Sequence, residues 1–345
     1  MSARPSLFGR LADGAPVQAV RLAWPGGLAV QVLDYGAIVQ SLTVPAAGGR
    51  VEALLGFPDP AAYEADRFYQ GQAIGRCANR IGGAAFSIDG RDYRVTANEG
   101  RNCLHGGRLG FGRRTWRFEA LADDGRSATL AYRSPDGEEG FPGEVEARVR
   151  FAVDGPDSFS ILWEAEADRP TPVSMTHHLY FNLSGDPRRS ALDHQMRIAA
   201  EAVTPVRPDL VPTGELMPVA GTPFDLRRPR PLREALAQAH PQTELAGGFD
   251  HNWALSGGAG PAAILRSPRT GLELAIDTDQ PGLQMFSGQT LEAPFARHGG
   301  IALEPQAFPD ALHHRNFPGV VLRPGSLYRR WASYRFAAGD PDEGR

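Results

Sequence analysis

The sequence predicts an all-β chain: a large antiparallel β-sandwich with few short helices. Three observations predict it. The 40 glycines and 29 prolines among 345 residues cut the chain into short pieces bounded by turn signals. Several of those pieces alternate apolar and polar residues with period two, the pattern of a strand with one buried face. No strand–helix–strand alternation is visible, which removes a Rossmann sheet or a TIM barrel. Fixed-period repeats and low-complexity linkers are absent, so one domain over residues 1–345 is expected, with the polar tail 339–345 disordered.

In chain order, Val17 to Trp24 and Leu28 to Leu42 read as strands around the turn Pro25-Gly26-Gly27. Asp59 to Phe68 reads as a short helix with Pro60 at its first position, where a missing N–H costs nothing. Glu144 to Val153 and Phe159 to Ala167 alternate as half-buried strands. Leu232 to Ala239 reads as a second short helix. Ile264 to Arg266 and Leu272 to Ile276 flank Ser267-Pro268-Arg269-Thr270-Gly271 as a hairpin, and Leu327 to Phe336 closes the series.

Composition excludes whole classes of chemistry. All 36 basic side chains are arginine and there is no lysine. Without lysine there is no Schiff base, no P-loop lysine and no kinase strand lysine. The accompanying Ala/Gly/Pro/Arg bias fits GC-rich codon usage. With 42% hydrophobic and 22% charged residues, the chain can bury a sizeable core. The net charge is -4 and the charges are interspersed, so no nucleic-acid partner is expected. Cys77 and Cys103 are too few for a disulfide framework or a zinc quartet. The start MSARPSLFGRLADG lacks a signal peptide's apolar core, and no apolar run approaches the ~20 residues of a membrane span. A cytoplasmic protein without a membrane partner is expected.

Titratable residues gather in five places. Gly75-Arg76-Cys77-Ala78-Asn79-Arg80-Ile81-Gly82-Gly83 carries two arginines four apart, planar forks suited to hydroxyl or carboxylate oxygens. Taken alone, such a pair is more often a set of surface ion pairs. Asn102-Cys103-Leu104-His105-Gly106-Gly107 sets a histidine against two glycines that allow close backbone approach. In Thr176-His177-His178-Leu179-Tyr180-Phe181-Asn182-Leu183, the two histidines on a strand point to opposite faces, so at most one faces a given pocket. Gly248-Phe249-Asp250-His251-Asn252-Trp253 is a dense polar segment beside an aromatic. In Ile301-Ala302-Leu303-Glu304-Pro305-Gln306, a carboxyl ends an apolar strand, which is expensive unless paired or functional. HExxH, CxxC, EF-hand, GxSxG and GxGxxG patterns are all missing, so no metal or nucleotide is expected. The inventory suits acid–base work on a neutral polyol.

Together these segments resemble the aldose 1-epimerase (galactose mutarotase) family, in order, from about residue 71 to 318. The first two clusters are similar to the family's G-R-x-A-N-R-I and N-x-L-H-G-G. Asp136 to Gly143 is similar to D-G-E-x-G-F-P-G, Thr176 to Leu183 to T-N-H-x-Y-F-N-L, and Phe249 to Asn252 to Y/F-D-H-N. Pro281-Gly282-Leu283-Gln284 is similar to P-G-x-Q, and Leu303 to Asp310 to L-E-x-Q-x-F-P-D. Each motif is short; seven in the right order are jointly specific.

The resemblance implies a galactose-mutarotase-type β-sandwich that interconverts the α and β anomers of a free aldose without a cofactor. It implies Glu304 as general base and His178 as general acid. His105, Asp250, Arg80, Asn79 and Gln284 would hold sugar hydroxyls or the ring oxygen, with Arg76 ranking behind Arg80. Asp250 is a candidate to keep His178 protonated. The partner is a small sugar, and the protein is expected as a monomer or homodimer. Two alternatives share the fold: a hexose-phosphate mutarotase recruiting Arg76 or Arg114, and a non-catalytic sugar-binding protein. The chain departs from the pattern at His177, where asparagine is usual, at Pro305, and at Leu312-His313-His314. Cys77 and Cys103 are expected as reduced, packed thiols near the pocket.

Overall fold

The computed structural model describes residues 4–340. Three large sheets carry the fold, and every strand pair in them is antiparallel. Nine strands form the widest sheet, in which Val145–Val153, Ser158–Ala167, Tyr328–Ala338 and Leu272–Thr278 lie side by side. Five consecutive strands from Ser6–Arg10 to Gly49–Glu52 form a meander. The third sheet has six strands, with Tyr180–Phe181, Ile301–Gln306, Gly282–Phe286, Asp250–Leu255 and Ala200–Thr204 adjacent in that order. One apolar cluster joins all three, with Val30, Val149, Trp163, Trp253, Met285 and Leu303 among its members.

Most expected elements are present. The hairpin pairs Ala263–Arg266 with Leu272–Thr278, and the first helix spans Pro60–Ala65. Asp59 caps that helix by accepting the Ala62 N–H at 3.0 Å. Leu28 to Leu42 is not one strand. It breaks into Ala29–Leu33 and Val39–Ala46, which pair with each other. The reversal uses left-handed Gly36 (φ 65°) and Ala37 (φ 44°). The second helix is shorter than expected, Leu232–Leu236, and a third, Pro241–Ala246, was not anticipated. Pro241 and the left-handed Gly247 were its start and stop signals. Within the expected disordered tail, Gly339 still donates to the Gly271 carbonyl at 3.1 Å, while 341–345 lie outside the described residues. Among the described residues, no helix is long and apolar enough to cross a membrane.

The six-stranded sheet positions the chemistry. Its strands bury Trp253, Leu283, Met285, Ile301 and Leu303 in the core. The alternate residues face the other way. Register then sets Thr204 opposite Asn252, Asn252 opposite Gln284, and Gln284 opposite Glu304. Directly opposed residues share a face, so one polar row crosses the sheet.

Candidate active site

A cleft of about 260 Å³ opens on this polar face. Asn79, Arg80, His105, His178, Asp250 and Glu304 line it, drawn from segments up to 225 positions apart (304 − 79). Gln284 does not line it. Its Nε2 donates to Asp250 Oδ1 at 2.6 Å, so it orients a cleft carboxylate from behind rather than meeting a ligand.

Glu304 and His178 form the floor. His178 Nε2 stands 3.5 Å from Glu304 Oε1, and their side chains are 7% and 2% exposed. Burial pushes the His178 imidazolium down to about 3. Burial, then the nearby Asp250 charge, push Glu304 well above the usual carboxyl range, and Arg80 opposes them. The uncharged pair is therefore favoured. Asp250 was the expected partner of His178; the carboxyl that meets it is Glu304. His177 points the other way, as alternation requires. It accepts the Trp163 indole N–H at 2.9 Å and meets the Ala37 carbonyl at 3.0 Å. Burial lowers it to about 4, so it adds no charge beside His178 at neutral pH.

Arg80 is committed to two carboxylates. Its Nε and Nη2 donate to Glu99 at 2.6 and 2.7 Å, and Nη1 lies 3.6 Å from Asp250 Oδ2. Burial opposes its charge, but Asp250 and Glu99 outweigh burial and raise its pKa. The guanidinium thus fixes a charged wall with hydroxyl-binding edges on both signs.

Asn79 and His105 lock each other. The His105 N–H donates to the Asn79 carbonyl at 2.9 Å, and the Asn79 N–H donates to His105 Nδ1 at 3.2 Å. Both residues are left-handed, at φ 59° and 52°, a conformation that costs energy and persists where the surroundings over-determine it. Because Nδ1 is an acceptor, the His105 ring proton sits on Nε2, which serves as a donor in the cleft. Burial, then His178 and Arg80, keep that ring neutral. This tautomer bears on metal binding. His105, His178 and Glu304 place potential ligand atoms within 4.8 Å of one another. A metal-binding imidazole offers a lone pair forward and an N–H behind; His105 offers the reverse. The trio fits a sugar oxygen and does not fit a metal.

Other motif residues build the frame. Gly106 is left-handed at φ 83°, and a Cβ there would sit 1.9 Å from the Gly75 carbonyl oxygen. Glu139 accepts the Arg108 and Leu109 N–H groups at 3.0 and 2.9 Å, which caps the loop after His105. Asp310 clamps the segment that carries Arg80. Its Oδ1 accepts the Gly82 N–H at 2.8 Å and its N–H donates to the Arg80 carbonyl at 3.0 Å. Arg76 is not in the cleft. It is buried and donates to the carbonyls of Ser134, Pro135, Pro142 and Gly143. Cys77 and Cys103 are free, buried thiols of a side cluster with Ile81 and Phe141, and neither lines the cleft.

Sequence reasoning missed several lining residues. Tyr69 stands with its ring centroid 4.6 Å from His105 and 6.0 Å from His178. Burial lifts its hydroxyl to about 12, so it remains a donor. Tyr180, whose ring lies 4.8 Å from His178, was within reach by period-two spacing from that histidine. Glu99, Leu210 and Phe286 also line the cleft. Leu210 reaches it from a turn at φ 59°, which no periodicity signals.

Behind this polar row, the same region carries buried polar atoms with no protein partner. They are Thr176 Oγ1, Thr204 Oγ1, both amide atoms of Asn252 and of Gln306, Gln284 Oε1 and Glu304 Oε2. Each such group left unsatisfied costs about 1–3 kcal/mol. Together they would rival the ~5–15 kcal/mol net stability of a folded domain.

Comparison with known proteins gives the family. The family model described as aldose 1-epimerase matches residues 18–335. Galactose mutarotase from Bos taurus is 35% identical over 348 residues, covering 98% of this chain and 99% of that protein. Aldose 1-epimerase from Escherichia coli (strain K12) is 34% identical, covering 94% of this chain and 97% of its own length. Among solved structures, galactose 1-epimerase from Lactobacillus acidophilus NCFM superposes with a TM-score of 0.88 at 26% identity, over 99% of this chain and all of that one. An aldose epimerase homologue from C. elegans gives 0.87 at 27% identity, over 94% and 100%. With a family model spanning nearly the whole chain, full-length relatives and the same fold, this chain belongs to the aldose 1-epimerase family.

Proposed function

We propose that this mutarotase interconverts the anomers of a free aldose with Glu304 as general base and His178 as general acid. His105, Asp250, Arg80 and Asn79 hold the sugar, and Gln284 orients Asp250. The observation that carries this is the Glu304–His178 pair, 3.5 Å apart on the floor of a hydroxyl-binding cleft. On ring opening, Glu304 takes the anomeric O1 proton and His178 gives a proton to ring O5. The C1–O5 bond breaks as the C1–O1 double bond forms. The C1–C2 bond rotates, and O5 attacks the other carbonyl face. Its proton returns to His178, and Glu304 returns one to O1.

Proton bookkeeping supports the pair. Neutral Glu304 with neutral His178 holds one proton, the same number as ionised Glu304 with protonated His178. Moving that proton along the 3.5 Å line generates base and acid together, with no exchange with solvent. The chemistry balances without a cofactor. All groups come from one chain, so one copy suffices, and two unpaired buried thiols fit a cytoplasmic setting. The hexose-phosphate reading is disfavoured. Arg76 is spent on backbone carbonyls, Arg114 pairs with Glu138 at 2.9 Å, and neither lines the cleft. A pure binder has no use for the floor pair.

The test is polarimetry on fresh α-anomers of glucose, galactose, xylose and arabinose, with and without enzyme. Acceleration for at least one is expected. Glu304→Gln and His178→Asn are each expected to lose roughly 100-fold or more in kcat while sugar binding survives. Full activity in either variant removes that residue's role.

A further inference from the structure

The polar face continues past the catalytic row, into the molecule. Gln306 lies two residues beyond Glu304 on the same face of its strand, and Thr176 lies two before His178. Gly282 stands opposite Gln306 in register. A Cβ on Gly282 would fall 2.3 Å from Asn252 Oδ1 and 3.0 Å from a ring carbon of Phe308. The glycine therefore makes room for the Asn252 amide over its own backbone, on the strand that pairs with the one carrying Gln306. All three polar residues are at most 1% exposed, and their side-chain N and O atoms have no protein partner. Glu304 Oε2 and Gln284 Oε1, at the head of this set, share that condition.

Beyond the far end lies a second cavity of about 300 Å³, lined in part by Val173, Gln280, Pro281 and Ala307. Ala307 directly follows Gln306, and Pro281 directly precedes Gly282. At about 3.3 Å per strand residue, Glu304 and that cavity are roughly 10 Å apart, the span of about three hydrogen-bonded waters.

We propose that Thr176, Gln306 and Asn252 form a buried water-binding site that runs from the back of Glu304 toward the second cavity and hydrates the Glu304 carboxylate when it ionises. Buried polar groups without protein partners are satisfied by ordered water, each making about three hydrogen bonds. Two primary amides and a hydroxyl supply donors and acceptors in the mixed arrangement that water accepts. The same burial that keeps Glu304 neutral opposes its action as base. Donors delivered from behind offset that opposition while leaving the sugar cleft to the sugar. The proposed role in catalysis rests on Glu304 as base; water binding itself does not.

Gln306→Leu keeps volume and removes polarity; Gln306→Asn keeps polarity and removes volume. The proposal expects the Leu variant, still folded by circular dichroism, to lose about tenfold in kcat with KM within about twofold. The basic limb of its pH profile should move up by about one unit, because ionised Glu304 is less stabilised. The Asn variant should stay within about twofold of wild type, since one more water fills the space. Thr176→Val, a smaller change, should move the profile the same way as Leu. Oxygen-17 relaxation should count fewer long-lived waters in the Leu and Val variants than in wild type. The opposite order, Asn worse than Leu with an unmoved pH limb, would assign the site to packing and overturn the proposal. An unchanged water count would overturn it as well. If Glu304→Gln retained activity while the count still fell, the base assignment would fail and the water site would stand.

Discussion

Glu304 and His178 titrate as one unit, so their pH behaviour belongs to the pair. Ordinary values of 4.5 and 6.5 would confine the singly protonated pair to a narrow acidic window. Burial moves the acid edge outward. A second proton enters only near pH 3, where His178 charges, and the last proton leaves well above 4.5, where Glu304 ionises. The acid limb of kcat/KM is therefore expected near pH 3 instead of 4.5, so activity at pH 4 should stay close to that at pH 5.5. Rates that fall tenfold per unit below 4.5 would give both groups ordinary surroundings and contradict the dry floor. The identity of these two residues was legible because each sits in a motif with fixed neighbours. Their protonation was not. It depends on burial by Tyr180 and by Tyr69 and His105, the last two of which reach the floor from distant segments.

At the scale of elements, the cleft is a polar row on a sheet plus two loops folded against it. The row was half legible. Alternation in the strands around Asp250 and Glu304 marks which residues share a face, but the pairing that sets Gln284 beside both is a fact of register. Gln284 was accordingly expected at the sugar and stands behind Asp250. The loops were less legible. The glycines after His105 signal close approach, yet that Gly75 approaches Gly106 and Glu139 braces Gly107 is long-range information. Gly106→Ala tests the loop. Its Cβ would overlap the Gly75 carbonyl at 1.9 Å, and φ 83° is strained for alanine. The urea-unfolding free energy should fall by more than about 2 kcal/mol. KM should rise as His105 shifts from the cleft. Wild-type values for both would show that the loop tolerates displacement.

The whole molecule is three sheets around one core, and His177 is where their packing can be read most directly. Period-two spacing placed it on the face opposite His178, but not among what it would find there. It bonds Trp163 of the nine-stranded sheet and Ala37 of the turn between two strands of the five-stranded one. His177→Leu removes both bonds and leaves a buried indole N–H and a carbonyl unsatisfied, at about 1–3 kcal/mol each. The variant should be less stable than wild type at pH 7.5. Acid should narrow that gap. The folded chain holds His177 neutral down to about 4, whereas the unfolded chain protonates it near 6.5. As pH falls through that window the unfolded wild type takes up a proton that the folded form refuses, so wild type loses stability that the leucine variant does not. At about 1.4 kcal/mol per pH unit, the difference between the two proteins should shrink by about 2–3 kcal/mol between pH 7.5 and 4.5. Paired urea titrations at those two pH values measure it, and every other titrating group cancels because both chains share it. A gap that stays constant would mean that His177 is solvated in the folded state and that the sheets do not close over it.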